Sequence, residues 1–138
     1  MDVTGKVFEL EIVTPRRVVY SGRVESFTAP GVLGGFQVLH SHAPLLSNLA
    51  IGEVKLLDGE GKEIRYATSG GFVEVRKNKV VMLAETAERF DQIDVERAKA
   101  AAARARERIT KKHAGVNVDR ARLSLQRALN RLKVSEPG

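Results

Sequence analysis

The sequence contains no cysteine and no tryptophan, and only four prolines and two tyrosines among 138 residues. Without cysteine there is no disulfide, no thiolate metal ligand and no cysteine nucleophile, a composition that suits a reducing compartment. Aromatics make up 5% of a chain that is 43% hydrophobic, so its core has to be largely aliphatic. No stretch nears the roughly 18 consecutive apolar residues that a membrane-spanning helix needs. "MDVTGKVFELEIV" at the N-terminus lacks a basic leader followed by an apolar run. These absences predict a soluble, unprocessed chain that meets a membrane only through partners. Reactive constellations are missing too. There is no G-x-S-x-G and no evident Ser/His/acid grouping, and "GVLGG" and "SGG" lack the lysine and helix of a phosphate-binding loop. A non-catalytic role is expected, with no required cofactor.

The charge is unevenly placed. Residues 1–87 carry 10 Lys and Arg against 10 Asp and Glu, whereas residues 88–138 carry 13 against 7, so the whole net charge of +6 lies in the last third. A neutral body with a basic tail predicts an acidic partner: nucleic acid, a phosphate ligand or an acidic protein surface. The length suits one ordinary domain, or a small domain with an appendage.

Up to about Glu85 the apolar period is two. "VFELEIV" sets Phe8, Leu10 and Ile12 on one side and Val7, Glu9 and Glu11 on the other. "RVVYSG", "RVESFTA", "GEVKLL", "EIRYATSGGFVEV" and "KVVMLAE" are likewise short, β-branched and bounded by turn residues. "DGEG" (58–61) and "RKNK" (76–79) read as hairpin turns. The expectation is an antiparallel β-sandwich or flattened barrel of seven to ten strands over residues 1–87.

Residues 88–138 change period. "IDVERAKAAAARARERITKK" is rich in helix formers, with Asp91 or Asp94 as N-cap, and "HAGVN" interrupts it with Gly115 as the stop signal. "VDRARLSLQRALNRLKV" resumes, with Asn117 or Asp119 as cap and Ala121, Leu125, Ala128 and Leu132 on one stripe. The first helix offers Ala98, Ala101, Ala102, Ala105 and Ile109. The two form an α-helical hairpin with a weak alanine grip, either fixed against the sheet or able to open.

Two sites draw attention. In "GGFQVLHSHAPLLSNL" (34–49), His40 and His42 have H-x-H spacing, but residues 31–52 hold no carboxylate and the third histidine, His113, is distant in sequence. The flanking Gly34, Gly35, Pro44 and Leu45 fit a shaped contact loop better than a metal or proton-transfer site. In the tail, Arg127 and Arg131 share a helix face. An antiparallel hairpin would bring them towards Arg97 and Asp94, with Glu88 upstream. A solvated basic face is the plain reading of these residues, and a polyanion pocket is the sharper one.

Six stretches now combine: "HAPLL" (42–46), "IGEV" (51–54), "SGGFVEV" (69–75), "VVMLAETAE" (80–88), "IDVERA" (93–98) and "RALNRLKV" (127–134). In this order and spacing they resemble the epsilon subunit family of the bacterial F-type ATP synthase, over nearly the whole chain. The resemblance implies a ten-stranded β-sandwich with a C-terminal α-helical hairpin. It implies a non-catalytic rotor subunit on the cytoplasmic face of the bacterial membrane, coupling proton flow to ATP synthesis. The sandwich would bind the gamma subunit and the c-ring through Gly34, Gly35, Phe36, His40, His42, Pro44 and Leu45. The hairpin would lie folded, or extend along gamma towards the alpha/beta hexamer and inhibit hydrolysis, its basic side chains meeting an acidic segment of beta. Members that bind regulatory ATP carry an I/L-D-x-x-R-A motif, matched here by Ile93, Asp94, Arg97 and Ala98. Glu88, Arg127 and Arg131 match the accompanying positions. The resemblance implies Glu88, Ile93 and Asp94 around adenine and the arginines on the phosphates. The chain departs from the family pattern at Gly35, Gln37 and His40. The rival reading is a nucleic-acid-binding module with a basic arm, whose binding would depend steeply on salt. The seven acidic residues within 88–138 and the shortage of aromatics speak against it.

Overall fold

In the computed structural model, which describes residues 6–111, 115 and 117–137, the period-two region resolves into nine strands. They are β1 (Phe8–Val13), β2 (Val18–Ala29), β3 (Phe36–Val38), β4 (Leu45–Leu49), β5 (Gly52–Asp58), β6 (Glu63–Thr68), β7 (Gly71–Arg76), β8 (Lys79–Ala84) and β9 (Ala87–Arg89). Their hydrogen-bonded order is β4-β7-β8-β1-β2-β5-β6-β9, with β3 added on β2. Strands from both ends of this path contribute to one buried cluster, including Leu10, Ile12, Phe27, Leu56, Tyr66, Val73 and Met82. The sheet therefore folds back on itself, and the expected β-sandwich is present.

Two details differ from the sequence reading. Nine strands stand where ten were implied, because "RVVYSG" and "RVESFTA" run on as the single 12-residue β2. Its first half pairs with β1 and its second half with β5 and β3, and the register on β5 shifts between Val24 and Ser26. That irregularity moves the inward phase from Val24 to Phe27 and Ala29. Strand β2 thus turns the corner between layers rather than ending there. The second difference is that β1 lies parallel to β8, whereas every other strand pairing is antiparallel.

Both expected hairpin turns form. Lys77 and Asn78 have φ of 51° and 60°, the left-handed pair that matches the twist of β7 and β8. At the other turn the Asp58 carboxylate accepts from the Glu60 and Lys62 backbone N–H groups, each at 2.9 Å, while Gly61 takes φ 80°.

The chain divides into two units, Met1–Arg89 and Phe90–Gly138. Because β9 runs to Arg89, the division falls two residues beyond the boundary drawn from composition. The second unit opens with a 3-10 turn, Phe90–Gln92, followed by α1 (Val95–Lys111) and α2 (Val118–Ser135). Of the alternative caps, the helices use Asp94 and Asn117. Asp94 Oδ1 accepts from the Arg97 N–H, and Asn117 Oδ1 from the Arg120 N–H, each at 3.0 Å. Asp91 lies in the 3-10 turn, and Asp119 pairs with Arg122 at 3.7 Å. Ala98, Ala102 and Ala105 of α1 are buried, as are Ala121, Ala128 and Val134 of α2, and the two helices pack together. With so short a connection they run antiparallel. His113 lies outside the described residues.

One titrating group in the β unit has a measurable consequence. The Tyr20 hydroxyl is held above its ordinary pKa, first by burial and then by the Asp58 carboxylate. The folded state therefore keeps this proton to higher pH than the unfolded chain. The associated stability is complete below the unfolded value of about 10 and is lost as pH rises through the folded value. Tyr20→Phe should flatten the alkaline fall in stability above about pH 10. Denaturant midpoints of both proteins across that range check this, and parallel pH curves would reject it.

Candidate functional site

The helical unit carries most of the residues read as a candidate anion site. Asp94 closes the N-terminus of α1 with one carboxylate oxygen, and its backbone carbonyl accepts from Ala98 N–H at 3.0 Å. Arg97 stands exposed on the first turn. Arg127 and Arg131 lie in the second half of α2, the first exposed and the second half-buried. Antiparallel helices put that half of α2 beside the start of α1, and the 3-10 turn ahead of α1 also touches α2. Arg131 therefore lies towards the end of the hairpin where Asp94 and Arg97 stand, and Arg127 lies near the middle of α2.

Two motif residues are buried. Ile93 is buried, and Ala98 is wholly buried, so its methyl group is packing rather than ligand surface. Glu88 belongs to the β unit, half-buried on β9 and in register with Ala67 of β6. Among the described residues, three exposed ion pairs decorate the helices: Lys99–Glu96 at 3.5 Å, Lys111–Glu107 at 2.6 Å and Arg122–Asp119 at 3.7 Å. Each is worth at most about 1 kcal/mol, and together they leave the surface strongly basic. At the opposite end of the hairpin, Arg108 and Arg120 line a hollow of about 410 Å³ with Gly115, Asn117 and Ala121. Neither arginine stood out in the sequence, because no spacing rule links positions on two helices.

The candidate contact residues fall at the two ends of β3. Gly34, with φ 133°, and Gly35 lie before it, in a turn closed by Gly34 N–H to Gly31 O at 3.0 Å. His40, His42 and Pro44 follow it, with three residues of strand, about 10 Å, in between. Phe36 and Leu45 are partly buried against the core. The histidine rings are engaged locally. His42 Nδ1 is 2.6 Å from the Ala43 carbonyl oxygen and so donates to it, while His40 Nδ1 is 3.2 Å from Ser41 Oγ. No group of three potential metal ligands occurs among the described residues. Exposed apolar side chains stand beside them: Leu46 on β4 at 64% exposure, next to Leu45, and three that the sequence reading passed over, Val32 and the fully exposed Leu33 before β3 and Leu39 after it. The signal for them was the run "VL" inside a glycine turn.

Two family models match the chain in succession. Residues 7–90 match the ATP synthase Delta/Epsilon chain, beta-sandwich domain, and residues 91–136 match its long alpha-helix domain. The chain belongs to the ATP synthase delta/epsilon chain family. The ATP synthase epsilon chain of Desulforamulus reducens is 47% identical over 132 residues, covering 96% of this chain and 99% of that one. The epsilon chain of Brevibacillus brevis is 50% identical over 127 residues, covering 92% and 96%. The resemblance read from the six motifs is thereby confirmed. The fold of the family also recurs in a chain from the cryo-EM structure of the Euglena gracilis mitochondrial ATP synthase, OSCP/F1/c-ring. The TM-score is 0.77 at 22% identity, with 91% of this chain and 79% of that one covered.

Proposed function

We propose that this chain is the epsilon subunit of a proton-translocating rotary ATP synthase, a non-catalytic part of its central stalk. The β unit binds the gamma subunit and the c-ring with the two ends of β3, using Gly34, Gly35, Phe36, His40, His42, Pro44 and Leu45 and the exposed leucines beside them. The subunit works at the cytoplasmic face of the membrane and touches it only through the c-ring. The observation that carries this reading is end-to-end likeness to bacterial epsilon chains across both units. The fold neighbours come from F1/c-ring and central stalk/c-ring assemblies, which supports the choice of partners. Co-purification with gamma is the direct test, and failure to associate would overturn it.

The helical unit is the regulatory part. Extended along gamma, its basic surface meets an acidic segment of beta in the alpha/beta hexamer and blocks ATP hydrolysis. Folded as the hairpin, it binds ATP. Arg97, Arg127 and Arg131 hold the phosphates, and Asp94 faces the adenine. ATP adds binding energy only to the folded form and so shifts the population away from inhibition. At a concentration 100 times its Kd a ligand of this kind contributes about 2.7 kcal/mol. That suffices to govern helices whose seam is mostly alanine. Calorimetric titration should give an ATP affinity about 10- to 100-fold weaker in Arg97→Ala and in Arg131→Ala, the loss expected for one charge-assisted hydrogen bond. Unchanged affinity in both would remove the site and leave the subunit assignment standing.

A further inference from the structure

The loop between β3 and β4 is held by a residue remote in sequence. Ser41 has φ 59°, a left-handed conformation that a serine adopts only when its surroundings impose it. Its backbone N–H donates to Asn78 Oδ1 at 2.8 Å. Asn78 Nδ2 in turn donates to the Val7 carbonyl oxygen at 3.1 Å, and the Asn78 backbone carbonyl accepts from Glu9 N–H at 3.3 Å. One residue of the β7–β8 turn therefore ties together that turn, the start of β1 and the loop. The turn itself needs only a positive φ at position 78, which glycine supplies equally well. The carboxamide does something the turn does not require.

The tethered loop carries the exposed Leu39 and His40, and it is internally braced by His42 N–H to Leu39 O at 3.2 Å and by the His42 ring on Ala43 O. Ordering such a loop in advance removes an entropy cost that binding would otherwise meet. We propose that Asn78 is a positioning residue that presets residues 39–44 for the gamma subunit, a role that rests on the docking reading above.

The test uses the full chain and purified gamma subunit. Asn78→Gly keeps the turn and deletes both side-chain bonds. Asn78→Asp keeps an acceptor for Ser41 N–H and a residue that tolerates positive φ. In Asn78→Gly, hydrogen exchange at the Ser41 amide should accelerate about fivefold and the Kd for gamma should rise by a similar factor, the loss of one ordinary hydrogen bond. Asn78→Asp should restore part of each, because it keeps the acceptor for Ser41 N–H but has no donor for the Val7 carbonyl oxygen. Unchanged Ser41 exchange in Asn78→Gly overturns the tether. Faster exchange with unchanged gamma affinity overturns the positioning role. Leu39→Ser and His42→Ala separate the two readings in that last case. If they weaken gamma binding, only the role of Asn78 falls, and if they too leave it unchanged, the docking surface falls with it.

Discussion

Gly71→Ala is expected to destabilise the β unit by roughly 2–6 kcal/mol, a large share of the stability of a small domain. Gly71 opens β7 with φ 152° and is paired on both sides, to Leu49 of β4 and Ala84 of β8. A Cβ there would run into the Leu83 carbonyl oxygen and lie 2.9 Å from Ala84 Cα. Both obstacles are backbone, so no rotamer change relieves them. Strain and crowding then add, each of about 1–3 kcal/mol. Gly34→Ala is the matched control, since its φ is 133° but nothing lies within 4 Å of the added carbon. It should show the strain cost alone, about 1–3 kcal/mol. Both tyrosines, Tyr20 and Tyr66, lie in the β unit. The near-ultraviolet tyrosine signal therefore follows this unit, while the far-ultraviolet helical signal follows α1 and α2. Equal losses in the two variants would refute the crowding.

Phe27→Ala should cost about 3–5 kcal/mol by the same tyrosine signal, through lost burial and the cavity left behind. Phe27 is completely buried at the corner of β2, opposite Val38 of β3 and Leu56 of β5. Phe27→Leu, which keeps most of the volume, should cost less than about 1.5 kcal/mol. Leu33→Ala, at a fully exposed position, should stay within about 0.5 kcal/mol of the parent. A loss below about 1 kcal/mol in Phe27→Ala would mean that β3 collapses into the space, against the packing described.

What could be read from the sequence was local. Alternation in β1, the positive-φ turn at Lys77–Asn78 and the alanine stripes of both helices follow from short-range rules, and each is present. The continuity of β2 was hidden because Ser21 and Gly22, in mid-strand, read as turn residues between "RVVYSG" and "RVESFTA". The parallel partnership of β1 and β8 joins segments some seventy residues apart, and periodicity holds no information on it. The choice of Asp94 over Asp91 as cap moves the helix start by three residues, which a run of helix formers does not resolve. At the candidate sites, the arginines were legible as a basic face, and their proposed ligand came from resemblance rather than spacing. Asn78 was visible as a turn former, whereas its reach to Ser41 exists only once the sandwich closes.

The corner strand has a mechanical consequence. A sandwich whose layers meet only through side chains resists sliding by dispersion contacts, which are weak and renewed at every small displacement. Here β2 carries covalent backbone from one layer into the other, flanked by hydrogen bonds to β1 on the first and to β5 and β3 on the second. A sideways load on either layer pulls on that strand and on the hydrogen bonds along it together, so the body yields as a block rather than as two plates. For a part proposed to turn with a rotor, shear stiffness of this kind lets torque applied at one face arrive at the other with little lag.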